Sequence, residues 1–191
     1  MREKKNIIAI DASGKSTVAA KIAKRLNAVY INTGNMYRAV TYVALRAGIT
    51  LDPPDANGIK NLLARTKFEY FSSGEDDRIK LDGEDLSSKI RAPEIASNVS
   101  RIAAIPVVRQ WLVEKQRQIV SGLDLAVMEG RDIGTIVFPD ARWKFFLTAT
   151  PEVRARRRLE QSGETYEGAT LFSVAKEIAE RDKRDMNRSV A

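Results

Sequence analysis

The sequence contains neither cysteine nor histidine. The first absence excludes disulfides and thiolate metal sites. The second excludes a histidine-ligated zinc and, together with the first, catalysis by Ser-His or Cys-His pairs. No long apolar run is present, so no helical membrane span is available. The basic start, residues 1–6, is followed by only four apolar residues (Ile7 to Ile10), too short a stretch for the core of a signal peptide. Aromatic residues make up 7% of the chain and form no aromatic-rich stacking motif, which speaks against a single-strand nucleic-acid surface.

What is there suits one domain with a real core: 191 residues, 43% of them hydrophobic, with room for small mobile subdomains. The net charge of +7 points to anionic partners, whether nucleic acid, acidic membrane or phosphorylated small molecules. Basic residues cluster over 154–158 and again over 181–188, the second time among acids. Such clusters fit tight anion pockets better than a broad nucleic-acid face.

Periodicity organises the chain. Residues 6–11 are an apolar run ending in an acid and predict a buried parallel strand. Val18, Ala19, Ile22, Ala23 and Leu26 fall at helical spacing over 17–26. A second strand is expected at 28–31 and a helix over 36–47, stopped by Gly48. Strand, turn, helix and strand in succession call for an α/β parallel sheet. Over 51–93 the character changes. Pro53-Pro54 breaks the chain, and strands at 68–71 and 78–81, joined through a turn at 72–77, predict a small antiparallel insertion. Pro93 and Pro106 open two helices. Strands follow at 125–128 and 143–148, then an arginine-rich helix over 152–161, a polar loop over 162–168, and a helix over 171–188.

Five segments carry candidate chemistry. Ser13-Gly14-Lys15-Ser16-Thr17 lies between strand and helix, as the second half of a phosphate-binding loop does. There the glycine lets N–H groups face an anion, the helix start favours negative charge, the lysine reaches terminal phosphates and the serine hydroxyl can ligate magnesium. The complete motif needs a glycine five positions before Gly14, where Ala9 stands inside the strand. Three more residues, beginning with glycine, between Asp11 and Ala12 would restore it. Either the loop is deleted and impaired, or three of its residues are missing from this sequence; the second is favoured because everything downstream is intact.

In the segment 32–38, Thr33 is expected to cap the following helix, and Tyr37 and Arg38 to lie on its first turns, where a guanidinium can grip a phosphate with two hydrogen bonds. Glu129 to Thr135 sits at the carboxyl end of a buried strand, where open parallel sheets bind ligands, and its two glycines flank an Arg131-Asp132 pair. Arg154, Arg156, Arg157 and Arg158 repel one another on a helix, so a polyanion between them is a better account than helix stability. A solvated basic face or an RNA patch is the alternative. Arg181, Arg184, Asp185 and Arg188 share a helical face, either as a salt-bridge ladder or as phosphate clamps with Asp185 accepting from sugar hydroxyls.

Taken together, these segments resemble the bacterial cytidylate kinases. Asn32-Thr33-Gly34-Asn35-Met36-Tyr37-Arg38-Ala39 is similar to their Asp-Thr-Gly-Ala-Met-Tyr-Arg signature, and Gly130 to Thr135, with Phe138-Pro139-Asp140-Ala141 after it, to their Gly-Arg-Asp block. Residues 100–109, 114–117 and 181–188 match as well, so the resemblance runs in order over nearly the whole chain. It implies an α/β, three-layer P-loop nucleoside-monophosphate-kinase fold with a parallel core sheet, a helical lid and a monophosphate-binding domain carrying a small antiparallel β insertion. The expected division is core over 1–32, monophosphate-binding domain over 33–118 with the insertion at about 60–92, core over 119–151, lid over 152–170 and core over 171–191. A further strand and helix would follow in that family.

The resemblance also implies roles. Ser13, Gly14, Lys15, Ser16 and Thr17 would hold ATP, with Ser16 on magnesium. Arg38, Arg131 and Arg188 would grip the CMP phosphate, with Arg181 sharing. Thr33 and Tyr37 would line the substrate, Ser100 and Arg109 would read the cytosine edge, and Asp185 would bond the ribose. Asp132 would lie near the magnesium waters, and Arg154, Arg157 and Arg158 would neutralise the transition state. The implied activity is ATP-dependent phosphorylation of CMP and dCMP by a cytoplasmic monomer, with no nucleic-acid or membrane partner. A P-loop kinase for UMP, AMP or a small alcohol, and a basic RNA-binding protein, are the rivals. Three positions depart from the pattern: Asn32 replaces an aspartate, Asn35 replaces an alanine, and Met186 stands where a small polar residue is common.

Overall fold

The computed structural model describes residues 5–12, 16–73, 76–160, 165 and 168–186. In chain order its elements are β1 (Lys5–Ala12), α1 (Ser16–Leu26), β2 (Val29–Asn32), α2 (Thr33–Arg46), α3 (Ala56–Arg65), β3 (Phe68–Ser73), β4 (Asp76–Leu81), β5 (Glu84–Asp85), α4 (Pro93–Ala103), α5 (Pro106–Val120), β6 (Ala126–Gly130), β7 (Ala141–Leu147), α6 (Pro151–Glu160) and α7 (Leu171–Met186). A 3-10 turn occupies Lys89–Arg91, and a π-helical turn occupies Ile133–Val137.

The four strands expected of the core form one parallel sheet in the order β2-β6-β1-β7. The middle of β1 and most of β2 and β6 read as apolar without alternation because both of their faces are covered, whereas the edge strand β7 is largely exposed. Ile7 and Ala9 of β1 join Ile31, Ala126, Met128, Val120 and Val137 on one side. Ile8 and Ile10 join Ala19 and Ala23 of α1, with Tyr30 and Val127, on the other. The period-2 alternation of side chains thus sorts one apolar run into two cores. The small antiparallel sheet β3-β4-β5 stands apart from it. It packs Ile79 and Leu81 into the largest apolar cluster, which also takes Met36, Val40, Ile59, Leu63, Ile102 and Leu112 from α2, α3, α4 and α5. These are the layers of a P-loop nucleoside-monophosphate-kinase α/β fold.

Several local expectations change. Helix α2 begins at Thr33, three residues before the apolar periodicity starts, and its cap is Asn32, whose Oδ1 accepts the Asn35 N–H at 3.2 Å. Asparagine and threonine are both capping residues, and spacing alone does not choose between them. Thr33 is the first helical residue instead, and its hydroxyl donates elsewhere. Helix α3, capped by Asp55 through the Gly58 N–H, was not anticipated, because Pro53-Pro54 and the polar residues after it conceal a short helical stretch with buried Ile59, Leu62 and Leu63. The insertion gains the short third strand β5 beyond the two expected. Among the described residues no helix is long and apolar enough to cross a membrane.

Candidate functional site

The connections leaving β1 and β6 run in opposite directions: β1 leads to β2, which lies beyond β6, and β6 leads to β7, which lies beyond β1. A crevice opens at the carboxyl ends where such connections diverge. Four residues from distant parts of the chain meet there. Ser16, at the start of α1, donates its hydroxyl to Oε1 of Glu129 at 2.8 Å. Thr33, at the start of α2, donates to the carbonyl of the same Glu129 at 2.8 Å. Gly130 follows at the end of β6. A Cβ there would stand 2.5 Å from Cδ1 of Ile133 and 2.8 Å from Oγ1 of Thr33, so only glycine lets these segments approach.

Two acids that the sequence did not single out as site residues anchor this crevice. Glu129 is only 3% exposed, and Asp11 8%. Buried carboxylates are costly unless hydrogen-bonded. Asp11 accepts the N–H groups of Ile133 and Gly134, both at 2.9 Å, and so ties the end of β1 to the turn after Arg131-Asp132. Arg117 clasps the far end of that turn by donating to the carbonyls of Ile136 and Val137, each at 3.0 Å. The Tyr30 phenol is held well above its usual range, first by burial and then by the charge of Glu129. It stays protonated. The signal in the sequence was the acid ending each apolar strand, Asp11 after Ile10 and Glu129 after Met128.

The remaining expected residues fall into three groups. Arg109 of α5 and Asp132 form a short ion pair at 2.6 Å, with both side chains largely out of solvent. The Arg38 guanidinium donates to the Ile90 carbonyl at 3.2 Å, in the 3-10 turn that precedes α4. Tyr37 and Ser100 are half-buried on α2 and α4, two helices in contact, while Arg131 is exposed at the mouth of the turn. Arg154 of α6 is paired in a two-pronged ion pair with Asp182 of α7, and Nη2 to Oδ1 is 3.2 Å. Arg157 is exposed and Arg158 half-buried on the same helix. Ser13, Gly14, Lys15 and Arg188 lie outside the described residues. So do the side chains of Arg181 and Asp185, whose backbone belongs to α7. Thr17 is exposed on α1.

The site offers hard oxygen donors and a helix start. Among the described residues no cluster of three or more metal-ligating side chains exists. A hydroxyl beside one buried carboxylate, as at Ser16 and Glu129, fits magnesium, which takes one or two protein oxygens and keeps water and phosphate for the rest.

Comparison with known proteins bears on this geometry. Residues 8–191 match the family described as cytidylate kinase. A cytidylate kinase of Clostridium tetani is 45% identical over 188 residues, covering 97% of this chain and 80% of that protein. One of Ligilactobacillus salivarius is 44% identical over 191 residues, covering 98% and 84%. A bifunctional pantoate ligase/cytidylate kinase of Prochlorococcus marinus is 45% identical over 196 residues, which take in all of this chain and 37% of that longer protein. This chain belongs to the cytidylate kinase family.

Proposed function

We propose that the protein transfers the γ-phosphoryl group of ATP to CMP or dCMP, giving ADP and CDP or dCDP. The observation that carries this is the meeting of Ser16, Thr33, Glu129 and Gly130 at the divergent strand ends, in a chain of this family. An oxygen of the CMP phosphate attacks the γ-phosphorus in line. A P–O bond to the acceptor forms as the bond to the ADP oxygen breaks, with no covalent enzyme intermediate. Such chemistry asks the protein mainly for position and charge.

The residues divide that work. Ser13, Gly14, Lys15, Ser16 and Thr17 hold the ATP phosphates. Ser16 is the magnesium-side hydroxyl, and the ion, when bound, neutralises phosphate charge. Arg38 and Arg131 grip the acceptor phosphate, with Arg181 and Arg188 from α7 and beyond. Asp132 keeps Arg109 oriented toward the base edge that Ser100 also reads; their 2.6 Å pair supports this. Thr33 and Tyr37 line the acceptor, and Asp185 accepts from the ribose. Arg154, Arg157 and Arg158 belong to a lid over 152–170 that closes on the acceptor-binding unit over 33–118 and excludes water. A cytoplasmic monomer without a nucleic-acid partner completes the assignment, and the small-molecule chemistry of the family supports it.

The test is ADP release from ATP and magnesium with CMP, dCMP, UMP, AMP and GMP in turn. Fast turnover with CMP and dCMP, with that preference lost in Ser100→Ala and Arg109→Ala, is expected. Equal or faster turnover with another nucleotide, or none with any, would overturn the assignment.

A further inference from the structure

Helix α2 carries Thr33, Tyr37 and Arg38 on its first turns, so whatever fixes its start also fixes those three. A polar cluster beyond the site does so. The Asn35 amide nitrogen lies 3.0 and 3.1 Å from the two carboxylate oxygens of Asp77 on β4. Tyr70 on β3 accepts the backbone N–H of Asn32 at 3.1 Å. Its single phenol proton has two acceptors in reach, Asp77 Oδ2 at 3.3 Å and the Tyr30 carbonyl at 3.5 Å. Ser72, also on β3, donates to that same carbonyl at 2.9 Å. The insertion hairpin therefore grips the β2–α2 corner through its side chains, across 42 residues of sequence between Asn35 and Asp77.

Two features mark Asp77 as more than packing. Its carboxylate is the shared partner of two neutral donors on different elements, the Asn35 amide of α2 and the Tyr70 phenol of β3. Burial also pushes the Asp77 carboxyl above its ordinary range, with Asn35, Tyr70 and the more distant Arg91 offsetting part of that cost. A group kept at a cost to stability is a candidate for a positioning role.

We propose that Asp77 is a positioning residue for the phosphoryl acceptor: through Asn35 and Tyr70 it holds the first turn of α2, and with it Thr33, Tyr37 and Arg38, in place before CMP arrives. This rests on the assignment of those three to the acceptor. The raised carboxyl also has a sign. Above that raised value the charged, buried form costs stability, and the cost fades as pH falls through it. Asp77→Asn should therefore leave the melting temperature at neutral pH unchanged or higher.

The experiment compares Asp77→Ala, Asp77→Asn, Asn35→Ala and Arg38→Ala by steady-state kinetics with CMP and ATP varied separately, alongside thermal melts. Expected is a KM for CMP raised about 10-fold in Asp77→Ala and Asn35→Ala, the loss of one charge-assisted hydrogen bond. The KM for ATP should not change. Asp77→Asn, which keeps an acceptor oxygen for Asn35, should recover most of the loss. If Arg38→Ala raises the KM for CMP and Asp77→Ala does not, the positioning role is overturned while the acceptor assignment stands. If neither moves it, the acceptor assignment itself fails. A rise in the KM for both CMP and ATP together with a lower melting temperature in Asp77→Ala would make the residue structural only, and would also overturn the proposal.

Discussion

Around α2 a continuous apolar cluster runs from Met36 through Ile59, Ile79 and Ile102 to Leu112, joined by hydrogen bonds at the β2–α2 corner. Between α6 and α7 the buried contact is Ala155, Val174 and Ile178, with Arg154 and Asp182 closing it by charge. Nearby, the edge strand β7 leaves Trp143, Phe145 and Phe146 exposed, the last at 72%. Among the described residues, one wall thus rests on a broad apolar cluster, whereas the other is held by little apolar area and by a pair of partly exposed charges. In a phosphoryl transferase that difference has a use. In the proposed function the first wall seats the acceptor, which needs a fixed position, and the second is the lid, which opens and closes within each turnover.

The largest effect should come from charge at the mouth between the two walls. Arg131→Ala is expected to lower kcat by on the order of 10²–10³-fold, the scale of one lost electrostatic contact to the transition state. Because Arg131 is exposed, the melting temperature should not move. A variant with unchanged turnover would detach the Arg131-Asp132 turn from catalysis.

How much of this was legible in the sequence depends on the kind of signal. The parallel sheet was, because β1, β2, β6 and β7 read as apolar or aromatic runs between turn signals. The crevice was partly so. Ser16, Thr33 and Arg131 stood out, but the acids that tie them together did not, because Glu129 and Asp11 act through hydrogen bonds to residues 113 and 122 positions away. Helix α3 was hidden by the prolines before it, and Asn32 took the cap expected of Thr33 through a competition that spacing does not resolve. Arg154 reads as a free lid cation until its partner on α7 is seen.

Next in size, core substitutions should separate the two walls. Leu112→Ala, fully buried, should cost about 2–5 kcal/mol in urea-induced unfolding, whereas Ile178→Ala should fall at or below the low end, about 2 kcal/mol, because its small cluster can collapse. Equal costs would remove the contrast.

A smaller effect is expected from the lid's charged closure. Asp182→Asn breaks the two-pronged pair with Arg154, whose partners are partly solvated, and should lower kcat/KM for ATP about 5-fold, corresponding to roughly 1 kcal/mol after screening. Amide exchange in α6 should quicken while that in α2 stays slow. The smallest effect belongs to the exposed cluster of Glu84 with Arg46 and Lys89, where Glu84→Gln should leave the unfolding midpoint unmoved.

The claim that the acceptor wall is built in advance is tested most directly by titrating CMP into the protein calorimetrically, without ATP or magnesium. Saturable one-to-one binding that Arg38→Ala weakens at least tenfold is the predicted result. CMP binding that emerges only once an ATP analogue and magnesium have been added would contradict it.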